Sequence, residues 1–181
     1  MGEHVLLIGM MGSGKSTVGR IVAGRMRRPF RDSDADVEAR TGQSVPAIFT
    51  TRGEPAFRAE ERAVLSYALT WLVPSVIAVA GGAVLDPETR RHLRSCGIVI
   101  WLDAAPHVLA ARVGSDAGRP LLGTDPAVSL ARLDALRRPV YRELADAVVP
   151  AGSRRPEALA EDVVRLARTR LDAPSRWCPS W

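Results

Sequence analysis

The residues with the clearest chemical purpose are the run Gly9-Met10-Met11-Gly12-Ser13-Gly14-Lys15-Ser16, which fits the spacing G-x-x-x-x-G-K-[ST]. It follows the apolar run VLLI and precedes a segment of helical periodicity. Glycines there let the backbone wrap so that N–H groups face phosphate oxygens, and the following helix adds its positive end. Lys15 then reaches the outer phosphates, and the Ser16 hydroxyl serves as a ligand for Mg2+. Gly12, Ser13, Gly14, Lys15, Ser16 and Thr17 are therefore the candidate nucleotide-phosphate residues. The bland alternative is a glycine-rich strand-to-helix turn with a chance lysine. Composition argues against it: of 25 basic residues, Lys15 alone is lysine and the rest are arginine. A compact ammonium differs from a forked guanidinium in shape and reach, so the exception marks a site that requires it.

A second group is Asp32-Ser33-Asp34, with Asp36 close behind. Phosphoryl transfer needs one acid to hold magnesium and another to orient the attacking hydroxyl or take its proton. Alternation along an extended step would aim Asp32 and Asp34 to one side. Helix capping, to which Ser33 and Asp34 are suited, explains the same cluster equally well. The chain contains no asparagine, which excludes the Asn-Lys-x-Asp element of guanine-specific switches. Asp103, after the apolar run IVIWL, reads as a cap for the next helix.

The elements that must position these residues alternate. Short β-branched runs at 5–9, 76–80 and 98–102 read as buried parallel strands, with weaker ones at 29–31 and 147–149. Helical periodicity covers 15–27, 34–41, 55–72, 87–94, 106–113, 126–146 and 156–171, several of these opening on proline. Alternation of this kind gives an α/β layered domain whose ligand crevice lies beyond the carboxyl ends of the strands. Residues 114–125 are glycine-rich and aperiodic, and read as a mobile loop carrying Arg119. The last ten residues, DAPSRWCPSW, read as a disordered tail.

The 181 residues suffice for one domain, with 46% apolar and 25% charged residues as in ordinary globular proteins. No apolar run approaches the roughly 20 residues of a membrane span, and the start has no basic leader or cleavage-type segment. Two cysteines cannot build a disulfide framework or a zinc cluster, so a cytoplasmic location is expected. A net charge of +5 invites a nucleic-acid partner, but the arginines lie in short groups without interleaved aromatics, and none is expected.

The segment FRDSDADVEARTGQSVPAIFTTRGEPAFRAEE resembles the substrate-binding segment of shikimate kinases, whose pattern is roughly F-x-D-x-D-x-x-I-E-x-x-x-G-x-x-I-x-x-I-F-x-x-x-G-E-x-x-F-R-x-x-E. The likeness continues through AGGAV (80–84), GRPLL (118–122) and RRPVYRE (137–143), covering about residues 5 to 171. It implies a P-loop domain of the nucleoside-monophosphate-kinase type over 1–172: a five-stranded parallel sheet flanked by helices, a helical substrate region at 33–62 and a lid at 112–124, with a tail at 173–181. It implies a monomeric enzyme that uses ATP and Mg2+ to convert shikimate to shikimate 3-phosphate. Asp32 matches the magnesium-side acid, with Ser16, and Asp34 the residue that engages the acceptor hydroxyl. Arg58 and Arg137 match the arginines that hold the substrate carboxylate, and Gly81 and Gly82 the backbone contacts to the ring. Phe49 and Phe57 match its apolar walls. Arg119 matches the lid arginine over the phosphates, Arg112 the arginine against adenine, and Lys15, Asp34 and Arg119 form the catalytic set. Where the family has three glycines, this chain has Ala80-Gly81-Gly82. Two alternatives stand: a kinase of the same fold for gluconate or an aminated shikimate analogue, and a nucleotide-binding module without catalysis.

Overall fold

The computed structural model describes residues 3–113, 122 and 125–171. Five parallel strands form one sheet: β1 (His4–Ile8), β2 (Phe30–Asp32), β3 (Val76–Ala78), β4 (Gly97–Asp103) and β5 (Ala147–Pro150). Their order is β2-β3-β1-β4-β5, so β1 is central, paired in register with β3 (Leu6 opposite Ile77) and β4 (Leu6 opposite Val99). All five residues of β1 are buried, which explains the unbroken apolar run from Val5 to Ile8. Full burial of each Leu or Ile there contributes about 1.5–3 kcal/mol relative to exposure. The chain steps from β1 outward to β2, returns to β3, then crosses β1 to β4. Strand order reverses beside β1, and a crevice opens there at the carboxyl ends.

Helices cover the sheet: α1 (Lys15–Met26), α2 (Ser33–Thr41), α3 (Val45–Leu69), α4 (Pro87–Cys96), α5 (Pro106–Val113), α6 (Pro126–Leu144) and α7 (Pro156–Leu171), with a 3-10 turn at Ala83–Leu85. Side chains stop and start them as capping chemistry requires. Asp86 accepts from the Thr89 N–H ahead of Pro87, and Asp125 accepts from the Val128 N–H ahead of Pro126. α1 packs on α7, α2 on α3, and α5 on α6. One core cluster spans the sheet, and a smaller one of Val37, Ile48, Phe57 and Val64 lies between α2 and α3.

Four expectations need correction. Helix α3 starts at Val45, ten residues before the expected 55, capped by Ser44 and ended at Leu69. Gly53, at φ 79° and ψ 169°, breaks it into two segments, and the first was too short to display a clear period. Asp103 does not cap α5; both its oxygens accept from Arg138, at 2.8 and 3.2 Å. Neither Ser33 nor Asp34 caps α2: Asp32 does, its side chain accepting from the Asp34 N–H at 3.2 Å. Asp34 is therefore already helical, and strand alternation is not what aims it. The loop with Arg119 (114–121, 123, 124) and the tail (172–181) lie outside the described residues, while Arg112 and Val113, the first two residues of the expected lid, belong to α5. Among the described residues no helix is long and apolar enough to cross a membrane.

Candidate active site

The glycine-rich loop leaves β1 at the point where strand order reverses. Gly9 has φ 142°, and a Cβ on it would stand 2.7 Å from the Leu102 carbonyl oxygen, so only glycine lets the loop turn against β4. Gly14, in the left-handed region, precedes the first residue of α1, and no acidic residue occupies that helix's first turn. The positive end of α1 is thus left for an anion. Lys15 Nζ donates to the carbonyls of Gly9 and Met10, each at 3.0 Å, which holds the ammonium across the loop's mouth.

At the edge of that mouth the Ser16 hydroxyl donates to Asp32 Oδ2 at 2.5 Å. A hydroxyl and a carboxylate oxygen this close beside a phosphate loop are the oxygen donors a magnesium ion takes, with water and phosphate oxygens completing its shell. The residues present fit the ion. Asp34, one step into α2, faces the same cavity. Burial pushes its carboxyl above the ordinary range, and the neighbouring Asp32 adds to this against the opposing pull of Lys15 and Arg58. A carboxylate so raised is a better proton acceptor than a solvated one.

The far end of the cavity is basic. Arg137, from α6, is 2% exposed, and its Nε finds no partner among the described residues. Arg58, from α3, donates to Glu54 and to both oxygens of Glu61, and its guanidinium lies so near Gly82 that a Cβ there would stand 2.4 Å from it. These are not all solvated surface pairs, because one partner, Glu61, is only 1% exposed. The adjacent arginines diverge: Arg138 turns to Asp103 and Asp134 while Arg137 turns inward. Phe49 and Phe57 pack at 4.8 Å between ring centroids beside this end. Ala80 fits where the family has glycine: its N–H donates to Ser33 Oγ at 2.8 Å, tying the strand exit to α2.

One cavity of about 860 Å³ joins the two ends. It is lined by Gly12 to Thr17, Asp32, Asp34, Arg58, Glu61, Gly81, Gly82, Arg112 and Arg137, so every described candidate is brought together. Arg112 donates to the carbonyls of Gly12 at 3.2 Å, Ala151 at 3.0 Å, and Gly152. Its edge is spent on bridging the phosphate loop to the β5–α7 connection, where Ser153, Arg154 and Pro156 also line the cavity.

Glu61 was missed as a site residue. Burial raises its carboxyl to about 7, with Asp34 adding to the shift and Arg58 and Arg137 opposing it. The sequence signals were its match to the last acid of the family pattern, F-R-x-x-E, and its position three residues after Arg58 in one helix. Tyr141, whose hydroxyl donates to the Gly81 carbonyl at 2.7 Å, was also unmarked beyond its place in RRPVYRE.

Comparison with known proteins agrees with this geometry. The shikimate kinase family profile matches residues 11–168. The chain is 43% identical over 167 residues to the shikimate kinase of Pseudomonas syringae pv. tomato, covering 91% of this chain and 96% of that one. It is 49% identical over 150 residues to the shikimate kinase of Burkholderia lata, covering 82% and 81%. Among solved structures, shikimate kinase from Acinetobacter baumannii in complex with shikimate superposes with a TM-score of 0.89 at 34% identity, covering 93% of this chain and 94% of that one. With the profile spanning most of the chain, and relatives this similar across nearly their whole length, the chain belongs to the shikimate kinase family.

Proposed function

We infer that this chain transfers the γ-phosphoryl group of ATP to the 3-hydroxyl of shikimate, giving shikimate 3-phosphate and ADP. The observation that carries the reading is the buried Arg137, whose Nε has no partner among the described residues, at the end of a cavity whose other end is a phosphate loop. A buried guanidinium with a free donor calls for an anion, and a carboxylate matches its fork. The acceptor is therefore an acid rather than a plain polyol.

The phosphates of ATP rest on the N–H groups of residues 12–17, with Lys15 on the outer oxygens. Ser16 and Asp32 would hold Mg2+, which offsets charge on the phosphate oxygens when bound. Arg58 and Arg137 take the shikimate carboxylate, the Gly81-Gly82 backbone and the phenylalanines Phe49 and Phe57 bound the ring, and Asp34 accepts the proton of the attacking hydroxyl. The oxygen–phosphorus bond forms as the bond from γ-phosphorus to the bridging oxygen breaks, and ADP leaves with that electron pair. Arg119 is assigned to the transferring phosphoryl group and Arg112 to the adenine side. Both reacting molecules are held by residues of one chain, and we take the acting unit to be a monomer. Phosphorus NMR of a reaction containing ATP, Mg2+ and shikimate tests the reading. One new phosphomonoester resonance should grow in step with ADP; ADP without that resonance, or no ADP, refutes it.

A further inference from the structure

A tyrosine ring can fill a core, but its hydroxyl needs partners when buried. Tyr141 is 0% exposed, and its ring lies 5.7 Å from that of Trp101 on β4. Its hydroxyl sits at a junction of three segments. It donates to the Gly81 carbonyl at 2.7 Å and approaches Met10 Sδ at 3.8 Å, while the positive charge of Arg137, one helical turn earlier in α6, lies close by. A Cβ placed on Gly81 would meet the Gly9 carbonyl at 3.0 Å, the Tyr141 hydroxyl at 3.1 Å and Arg137 Nη1 at 3.3 Å, so all of these groups crowd around one peptide. Burial also holds the phenol well above its ordinary range, so the proton stays on the oxygen and the hydroxyl keeps both a donor and an acceptor role.

We propose that Tyr141 is a positioning residue for the acceptor: its hydroxyl locks the Gly81 peptide and the Arg137 guanidinium into one arrangement, with Arg137 Nε turned to the substrate carboxylate. Tyr141 holds the peptide by its hydrogen bond to the Gly81 carbonyl, and the Arg137 guanidinium packs against that same peptide. Without the hydroxyl, the Gly81 carbonyl loses its buried partner, and the peptide and the Arg137 guanidinium packed against it are free to turn toward the acceptor space. The nucleotide end is spared, because no hydrogen bond of Tyr141 reaches residues 12–17. The inference rests on the assignment of Arg137 to the shikimate carboxylate.

The test is Tyr141→Phe in the full chain, which keeps the ring against Trp101 and removes one oxygen. KM for shikimate should rise about fivefold to tenfold, the loss of one net hydrogen bond, while kcat stays within about threefold and KM for ATP within about twofold. A core residue without a positioning role would lower the melting temperature and move neither KM, or both alike. A folded variant with shikimate KM within about twofold of wild type, or with ATP KM rising in step, overturns the proposal. Should Tyr141→Phe not fold, the intact chain labelled with 3-fluorotyrosine serves instead. It has two tyrosines, and Tyr67→Phe assigns their fluorine signals. Saturating shikimate should shift the Tyr141 signal; an unmoved signal overturns the proposal. Turnover of shikimate by the unaltered chain is the control: its absence would remove the acceptor reading itself, and this inference with it.

Discussion

Replacing Arg137 with alanine is the sharpest perturbation of the acceptor end. The guanidinium is 2% exposed and its Nε has no partner among the described residues, so the change removes a desolvated donor whose work is unfinished until the acceptor arrives. Hydrogen bonds to charged groups contribute about 1.5–3 kcal/mol, and a forked contact lies in the upper part of that range. A loss of about 2–3 kcal/mol corresponds to a roughly 30- to 150-fold fall in kcat/KM for shikimate. Folding should suffer less, because Arg137 opposes the shift of Glu61, and a Glu61 deprived of it can stay protonated. Arg58→Ala differs: it strips Glu61 of its direct ion-pair partner and should cost stability as well as acceptor affinity. The assay is initial-rate ADP formation at saturating ATP with shikimate varied. It is then repeated with an analogue carrying a neutral amide in place of the carboxylate. The variant should lose much less on the amide than on shikimate, and KM for ATP should hold. A folded Arg137→Ala protein whose shikimate kinetics stay within about twofold of wild type would refute the carboxylate clamp.

Three further outcomes are expected. Lys15→Met should abolish phosphoryl transfer in a chain whose circular dichroism is unchanged, since it removes a phosphate-directed charge and little packing; wild-type turnover by the folded variant would contradict the loop's role. Asp34→Asn should cut kcat strongly with little effect on nucleotide binding measured by calorimetry, because an amide cannot take the hydroxyl proton; weakened nucleotide binding alone would move Asp34 off the acceptor side. Stability should depend on pH through Glu61. Its folded value of about 7 lies above the ordinary 4.5, so between these the folded chain holds a proton that the unfolded chain has released. That contribution is present in full below the lower value and is lost as pH rises through the upper. Asp34, raised in the same direction, acts with the same sign. Glu61→Gln should flatten the fall in urea midpoint between about pH 5 and pH 8, and an unchanged slope would show that Glu61 does not titrate there.

The parts of the site that were legible in the sequence are those carried by contiguous residues. The phosphate loop declares itself because backbone wrapping, helix start and lysine follow one another within eight positions. The strands were legible because burial on both faces leaves unbroken apolar runs, and the starts of α5 and α7 because proline marks them. Arg58 and Arg137 emerged through their register in a family pattern and not through local chemistry, since nothing in RRP tells which arginine turns inward. That choice depends on Asp103 and Asp134 drawing Arg138 away, a contact spanning 35 residues in the first case. Glu61 stood in the family pattern as its last acid but without a role, among several charges on one helix, and only the fold makes it a buried acid. The early half of α3 stayed hidden because Gly53 interrupts it. Asp32 resisted a single reading because in the structure it both caps α2 and meets Ser16.

The central claim is that a buried arginine pair selects a cyclic acid for phosphorylation from ATP. The most direct test is ADP release by the unaltered chain with Mg2+ and ATP against a panel of acceptors: shikimate, an aminated shikimate analogue, gluconate, a neutral polyol, and water alone. Shikimate should give the highest kcat/KM, the neutral polyol none above water, and gluconate far less than shikimate. Turnover that prefers gluconate or the polyol, or that does not depend on an acceptor at all, would contradict it.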